Sequence, residues 1–501
     1  MEPHRGRTRA RLGADRAVTS ANHGRDAIAG VLPPAGVARL LIIVLGGMLT
    51  LQSSQGLDPP KLAYLAVASI VFLFSCRSVW SMRDRPMFKA AMPWLVSSLV
   101  LSALVALSLP VALSRGTPIS EWLRDAATYG LFAAAPLFAL DAAASMRGRL
   151  LLGLTVGIAA LGAVSFAIYW ITARNLTTLP FEQFVLPTAS LPTALFVTSL
   201  AAAVVDRRRR LMWIAIGGLA LGTFLLTGSR SALLYVVACP VVMVMAGRQL
   251  LARSTLASAG TLLIAAGLVA ILQASLAPTG QATPTSDVTA RATASASATT
   301  DATATATAPE SRTPSPTASP LPTPTPPPLN PDATLLARLQ AFLGSPGQDP
   351  SIRERVVQYE AAWEVFASSP LIGAGLGHPF EWTRVDGTTR RDFTADTPLV
   401  LPAKLGILGI VWLIGFVAVW MRFLRVLNRT AGLTIPGLAM AAWLGILAVV
   451  AWGPLSFEDK GFSFALMLLL SLAFIQFEMR PGRRTLGAAQ PSGTGATQTD
   501  A

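Results

Sequence analysis

Arg230 stands alone between two long apolar runs in "LGTFLLTGSRSALLYVVACP" (221–240). A guanidinium just ahead of a segment of helical length lies where a helix N-terminus offers free N–H groups and about half a positive charge. Ser229 is a suitable N-cap for that helix. Together these groups suit a phosphate or diphosphate. An arginine reaching from an apolar helix to the membrane surface is the plainer reading of the same residue. Lys404 poses a similar question in "TPLVLPAKLGILG", two residues after Pro402. An ionisable residue within an apolar run faces the bundle or a cavity, or, this near the end of the run, reaches back to the interface. The three histidines are scattered at His4, His23 and His378, and Cys76 and Cys239 fall at or inside apolar runs. That pattern gives no zinc spacing and no disulfide framework, so no metal and no cofactor are expected.

The elements that must position these groups are membrane helices. Of 501 residues, 52% are hydrophobic and only 13% are charged, more apolar surface than a soluble domain can hide. The net charge of +14 would suggest nucleic acid in a soluble protein. Here the basic residues sit in short clusters between apolar runs, so no nucleic-acid partner is expected. Twelve apolar segments are candidates to span: 38–55, 62–80, 91–113, 125–144, 150–171, 187–205, 211–226, 231–247, 255–277, 397–421, 432–453 and 461–479. Backbone in lipid must be internally bonded, so the expected fold class is all-α, a polytopic membrane helix bundle of about twelve transmembrane helices.

Charge assigns the sides. Arginines and Lys89 crowd alternate connections, at 77–89, 147–149, 207–210, 248–253, 422–429 and 480–484. The other short connections carry one or two cations each: Lys61, then Arg115 with Arg124, then Arg174, Arg230 and Lys460. The crowded side is cytoplasmic by the positive-inside rule, which places both termini in the cytoplasm. Residues 1–36 then form a basic disordered tail, 37–277 nine membrane helices and 397–479 three more, and 480–501 a disordered tail. Between the helical blocks lies one long extracytoplasmic segment. Its first part, 278–330, is Thr, Ala, Ser and Pro and reads as an extended stalk, a spacer or a carrier of O-linked sugars.

Residues 331–396 read as a helical extracytoplasmic loop. "PDATLLARLQAFLG" is a short amphipathic helix capped by Asp332 and closed by Gly344. "DPSIRERVVQYEAAWEVFASSP" is a longer one, with a Ser351–Glu354 capping box and an apolar stripe of Ile352, Val356, Tyr359, Trp363 and Phe366. Such a helix can lie on the outer surface of the bundle. The glycines of "SSPLIGAGLGHPFEW" allow a tight turn. They are no dinucleotide motif, since no strand precedes them.

Three pieces in this order resemble the bacterial O-antigen ligase and O-antigen polymerase family. They are "TGSRSALL" opening a membrane helix, an arginine-bearing loop helix ending in "PLIGAGLG", and "TPLVLPAKLGILGIVWLIG" re-entering the membrane. The resemblance implies transfer of a glycan from a polyprenyl diphosphate carrier to an acceptor hydroxyl at the outer face. It places Arg230 and Arg355 on the diphosphate, with Arg353 in reserve, and Lys404 then adds a further cation. Two guanidiniums can offset the charge on a leaving diphosphate without a metal. The family commonly carries a His-Asn pair about eleven residues ahead of a glycine before the re-entering helix. Counting back from Gly406, this chain has Ala395-Asp396. Asp396 can take the part of general base, and His378 is the second candidate, set against a solvent-exposed loop histidine.

The reading is a metal-independent membrane glycosyltransferase acting in cell-surface polysaccharide assembly. Its partners are a polyprenyl-diphosphate-linked glycan such as one on undecaprenyl diphosphate, membrane lipid, and a glycan, lipid or protein acceptor. A secondary transporter broken at Pro402–Lys404 and a protein O-glycosyltransferase are the alternatives.

Overall fold

Long apolar runs hide their backbone polar groups by coiling, and helices make up most of the described residues. The computed structural model describes residues 34–51, 58–175, 188–226, 231–246, 250–276, 350–384, 387–395, 397–431, 434–450 and 459–478. Ahead of the loop come α1 (Ala35–Thr50), α2 (Pro59–Trp80), α3 (Pro86–Ser114), α4 (Ile119–Ser145), α5 (Gly148–Asn175), α6 (Ser190–Val205), α7 (Arg210–Leu226), α8 (Ser231–Ala246) and α9 (Leu251–Leu276). The loop contributes α10 (Pro350–Ser368) and a hairpin of β1 (Phe380–Thr383) and β2 (Thr389–Asp392). After it come α11 (Val400–Ala431), α12 (Ile435–Val450) and α13 (Lys460–Phe474), the last continued by the 3₁₀ turn Ile475–Phe477. Among the described residues seven helices, α2 to α5, α9, α11 and α13, are long and apolar enough to cross a membrane. Helices α1, α6, α7, α8 and α12 are apolar but shorter. The stalk, the helix expected at 332–344 and the C-terminal tail lie outside the described residues, as does nearly all of the basic N-terminal segment.

Helices α4 and α13 form the centre. Their most apolar stretches are 78% and 83% buried, against 22% for α2 and α3, which leave Leu73, Phe74 and Leu99 facing outward. Trp412, Phe416, Trp420 and Phe423 recur at helical spacing along α11. Trp94 of α3 packs edge-on to Phe416 and Phe423 and tilted on Trp420, with ring centroids 5.6–5.7 Å apart. One charge pair is sunk in the bundle. Asp141 of α4 is wholly buried and accepts from Arg39 Nε and Nη2 of α1 at 2.6 and 2.8 Å and from Ser75 Oγ of α2 at 2.9 Å. A carboxylate this deep is tolerated only because three donors meet it, and it ties three helices together.

The loop differs from its sequence reading in three respects. Helix α10 seats only part of the expected stripe: Phe366 packs against the loop core, whereas Val356 and Trp363 are 49% and 55% exposed. Its buried face runs through Gln358, Ala361 and Ala362, with Val357 and Val365 beside them, against Phe380, Trp382, Val400 and Ala403. Alanines let the helix approach α11 and β1 closely, a preference that a size-weighted stripe misses. The helix starts at Pro350, ahead of the expected cap, and Glu354 turns to the hairpin: its Oε1 accepts from Trp382 Nε1 at 3.0 Å and Arg384 Nε at 3.2 Å. The third difference is the antiparallel hairpin, which adds a small sheet to an otherwise helical fold. It pairs Phe380 with Asp392 and Thr383 with Thr389, with Phe380 and Trp382 inward and Glu381 and Thr383 outward. The "DG" at 386–387, with Gly387 at φ 82°, was its sequence signal.

Candidate functional site

Gly406 breaks α11 six residues after it starts, with φ 64° and ψ −156°. A break leaves backbone groups without their helical partners, and at membrane depth something must bond them. The glycine run of the loop does so. Ala374 N donates to Ala403 O at 2.8 Å, Gly375 N to Lys404 O at 3.0 Å, and Ile407 N to Pro370 O at 2.8 Å. The approach is close enough that a Cβ on Gly373 would run into the Lys404 carbonyl, and one on Gly406 into the Leu371 carbonyl. Both glycines also hold positive φ, which other residues adopt at a cost. The expected tight turn is therefore present, and its work is to seat the loop on the broken helix. On its other side the run rests on the α3–α4 turn, with Gly375 over Ala112 and Gly377 over Trp122.

A buried ion cluster lies beneath this junction. Lys404, wholly buried, donates through Nζ to Asp125 Oδ2 of α4 at 2.6 Å and to Phe393 O at 2.6 Å. Gly377 N donates to the same Asp125 oxygen at 2.8 Å. Arg124 Nη2 meets Asp125 Oδ1 at 3.1 Å, and its guanidinium covers the Phe393 ring at 3.5 Å. Asp125 thus joins bundle, loop and re-entering helix. Lys404 does not reach out to the interface; it is drawn inward because a carboxylate and a carbonyl there replace its water.

Further cations lie close by. Lys61 of α2 is buried beside Asp58, with Nζ 3.4 Å from Oδ2. Lys460, first residue of α13, donates to Leu51 O at 3.3 Å and lies within electrostatic reach of Lys61, Arg124 and Asp125. Asp459 caps α13 through Gly461 N at 2.9 Å and accepts from Thr188 and Ser190. Burial pushes its carboxyl pKa up, and those donors pull against the rise. Among the described residues four cations (Lys61, Arg124, Lys404 and Lys460) meet three carboxylates (Asp58, Asp125 and Asp459). An excess of positive charge at low dielectric is a setting that favours an incoming anion.

The sequence candidates fall as follows. His378 is half-buried directly after Gly377. Burial lowers its pKa first, and the charges of Arg115, Lys404 and Arg391 lower it further against a pull upward from Glu381. The imidazole is therefore neutral near pH 7 and able to accept a proton. Arg355 is half-buried and Arg353 exposed. Tyr359, one turn on from Arg355, lies beside Thr397 and feels the Arg355 charge. Arg355 therefore lies on the side of α10 that faces Thr397. Arg230 and Asp396 lie outside the described residues. Arg230 immediately precedes α8, and Asp396 sits between the buried Ala395 and Thr397. The sequence reading missed Asp125, which it took as the first residue of an apolar span, and used Lys61, Arg124 and Lys460 only to assign sides.

An apolar groove leads to these cations. It encloses about 590 Å3 between α2, α3 and α4 and is lined by Leu65, Phe72, Leu95, Leu99, Ala127 and Phe138 among others. Leu65 is four residues below Lys61 and Ala127 three below Arg124, so groove and cations share helix faces.

Residues 215–414 match the O-antigen ligase family. The matched stretch runs from within α7 into α11 and takes in Arg230, Arg353, Arg355, His378, Asp396 and Lys404. None of the curated proteins matches the chain. The resemblance to O-antigen ligases thus holds over that stretch, and with the membrane-length helices it indicates a membrane enzyme of the O-antigen ligase type.

Proposed function

We propose that the protein transfers a glycan from a polyprenyl diphosphate carrier to an acceptor hydroxyl at the outer face of a bacterial plasma membrane, with twelve helices crossing and both termini cytoplasmic. The observation that supports this reading is the family match over 215–414, a stretch that includes both the loop and its docking helix. The groove between α2, α3 and α4 suits the polyprenyl tail, and the cations above it suit the diphosphate. In the reaction, the acceptor oxygen attacks the anomeric carbon and the bond from that carbon to the diphosphate oxygen breaks. The acceptor proton passes to a base, Asp396 or His378. Arg230 and Arg355 stabilise the charge that grows on the leaving diphosphate. Lys404 acts beside them by holding Asp125, and so fixes Arg124. Arg353, being exposed, takes no direct part. The description of the matched family supports ligase over polymerase chemistry in this reading.

Filling the groove tests this arrangement. Gly130 lines it, and a Cβ there meets nothing within 4 Å. Gly130→Phe is expected to raise KM for a long-chain polyprenyl diphosphate donor about tenfold and leave KM for a donor with a tail of one or two isoprene units within twofold, the size expected when several buried CH2 groups lose their place. Equal effects on both donors would remove the tail from this groove.

The His378 reading predicts a pH profile. Its pKa is held below 6.5, so the neutral form, and any rate that depends on it, persists as pH falls to 6.5 and is lost at lower pH. Folding stability shifts the same way: the contribution of neutral His378 is intact above 6.5 and lost as pH falls through the folded-state pKa. His378→Gln is expected to flatten the acidic limb of kcat/KM. An unchanged limb assigns the base to Asp396.

The broken helix α11 with a buried ion pair beside it also favours a secondary transporter as the second reading, and consumption of donor separates the two.

A further inference from the structure

The opposite end of the bundle carries a second charged cavity. Helix α4 runs from Arg124, in the ion cluster, to Ser145, about 30 Å away at 1.5 Å per residue. There a cavity of about 670 Å3 opens where α3 and α5 begin and where α4 and the turn after α13 end. Arg85, Arg147 and Arg149 line it, together with Glu478 and the apolar Leu150 and Ile475. All three arginines are exposed, and none forms an ion pair among the described residues.

Two further features specify the ligand. Gly148, Arg149 and Leu150, the first turn of the 28-residue α5, form part of the wall, so that turn's unpaired N–H groups and the positive end of its dipole meet the cavity. The Glu478 Oε1 atom is buried and has no hydrogen-bond partner among the described residues. Three guanidiniums and a helix N-terminus suit a phosphate. A buried carboxylate oxygen needs a donor. A single ligand bearing a phosphate and, a few bonds away, a hydroxyl or ammonium satisfies both. Leu150 is 60% exposed at the rim, at the depth where membrane helices end and lipid headgroups lie.

We propose that this cavity binds the phosphodiester headgroup of a membrane glycerophospholipid, with Arg85, Arg147, Arg149 and the first turn of α5 on the phosphate and Glu478 on the donor of the headgroup. The site is separate from glycan transfer and does not depend on that reading. It is a place where a lipid of the inner leaflet fastens together the ends of four helices.

The test uses the full-length protein in detergent, titrated with phosphatidylglycerol and followed by native mass spectrometry and thermal unfolding. One lipid is expected to stay bound, and phosphatidylglycerol is expected to raise Tm where diacylglycerol, which lacks the phosphate, does not. In Arg147→Gln/Arg149→Gln retention is expected to fall about tenfold or more, as two surface cations lost near an anionic headgroup imply. Equal retention by the variant, or equal stabilisation by diacylglycerol in the unsubstituted protein, overturns the proposal. Stabilisation by inorganic phosphate equal to that by phosphatidylglycerol overturns the lipid assignment and leaves a site for free phosphate. The comparison of lipids in the unsubstituted protein stands even if the variant does not fold.

Discussion

Arg355→Ala is expected to slow glycan transfer about 10²- to 10³-fold while the protein remains folded in the membrane, the usual cost of removing one preorganised group from a developing negative charge. Arg230→Ala is expected to match it. Arg355 is half-buried one turn before Tyr359, which lies beside Thr397, whereas Arg353 is exposed. Arg353→Ala therefore serves as the control and is expected to change the rate less than about threefold, in line with the small worth of surface charges. The loss should appear in kcat as well as kcat/KM, because charge accumulates on the diphosphate only as the glycosidic bond breaks. Near-normal transfer by Arg355→Ala, or a loss with Arg353→Ala as large, would take the diphosphate away from α10.

The second large effect is on stability. Asp125→Ala leaves the buried Lys404 ammonium and the Gly377 N–H without their shared acceptor. Breaking one partner of a buried ion pair costs about 3–5 kcal/mol, so the Tm of the variant in detergent should fall clearly. Asp125→Leu combined with Lys404→Met removes both charges and is expected to recover most of that stability, since neither is left unpaired. Transfer should not recover with it, because Arg124 has then lost the carboxylate that fixes it over Phe393. A double variant as unstable as Asp125→Ala would mean the pair contributes no mutual compensation. A double variant with full transfer would make the cluster purely structural.

Much of this organisation was legible in the residues. Hydropathy alone located the membrane-length helices, because a 20-residue apolar stretch has no other way to satisfy its backbone. Lys404 announced itself as a charge inside an apolar run. Its partner did not, because Asp125 stands at the edge of a span, where a carboxylate needs no special account. The break in α11 was invisible for a related reason: a glycine within an apolar run is ordinary, and Pro402 pointed four residues away from Gly406. Only the three-dimensional approach of Ser369–Gly375 shows which carbonyls and N–H groups the break must share. The stripe on α10 was read by side-chain size, whereas Ala361 and Ala362 bury fully or nearly so because they are small. Four-residue strands lie below the length at which alternation stands out, so the hairpin depended on its Asp-Gly turn alone.

These residues also show why the two ends of the bundle differ. At the Asp125 end the cations are buried and hydrogen-bonded to carboxylates and carbonyls, so an incoming anion meets groups already in place. At the Arg147 end they are exposed and unpaired among the described residues, as suits a lipid headgroup that exchanges with the bilayer. Preorganised charge favours a transition state.

The most direct measurement reconstitutes the purified protein in liposomes with a polyprenyl-diphosphate-linked glycan and an acceptor glycolipid, and follows release of free polyprenyl diphosphate. The account predicts release that requires the acceptor, yields one glycan joined to acceptor per carrier freed, and disappears with Arg230→Ala or Arg355→Ala. Donor that crosses the bilayer intact, with its glycan still attached and no dependence on acceptor, would contradict it.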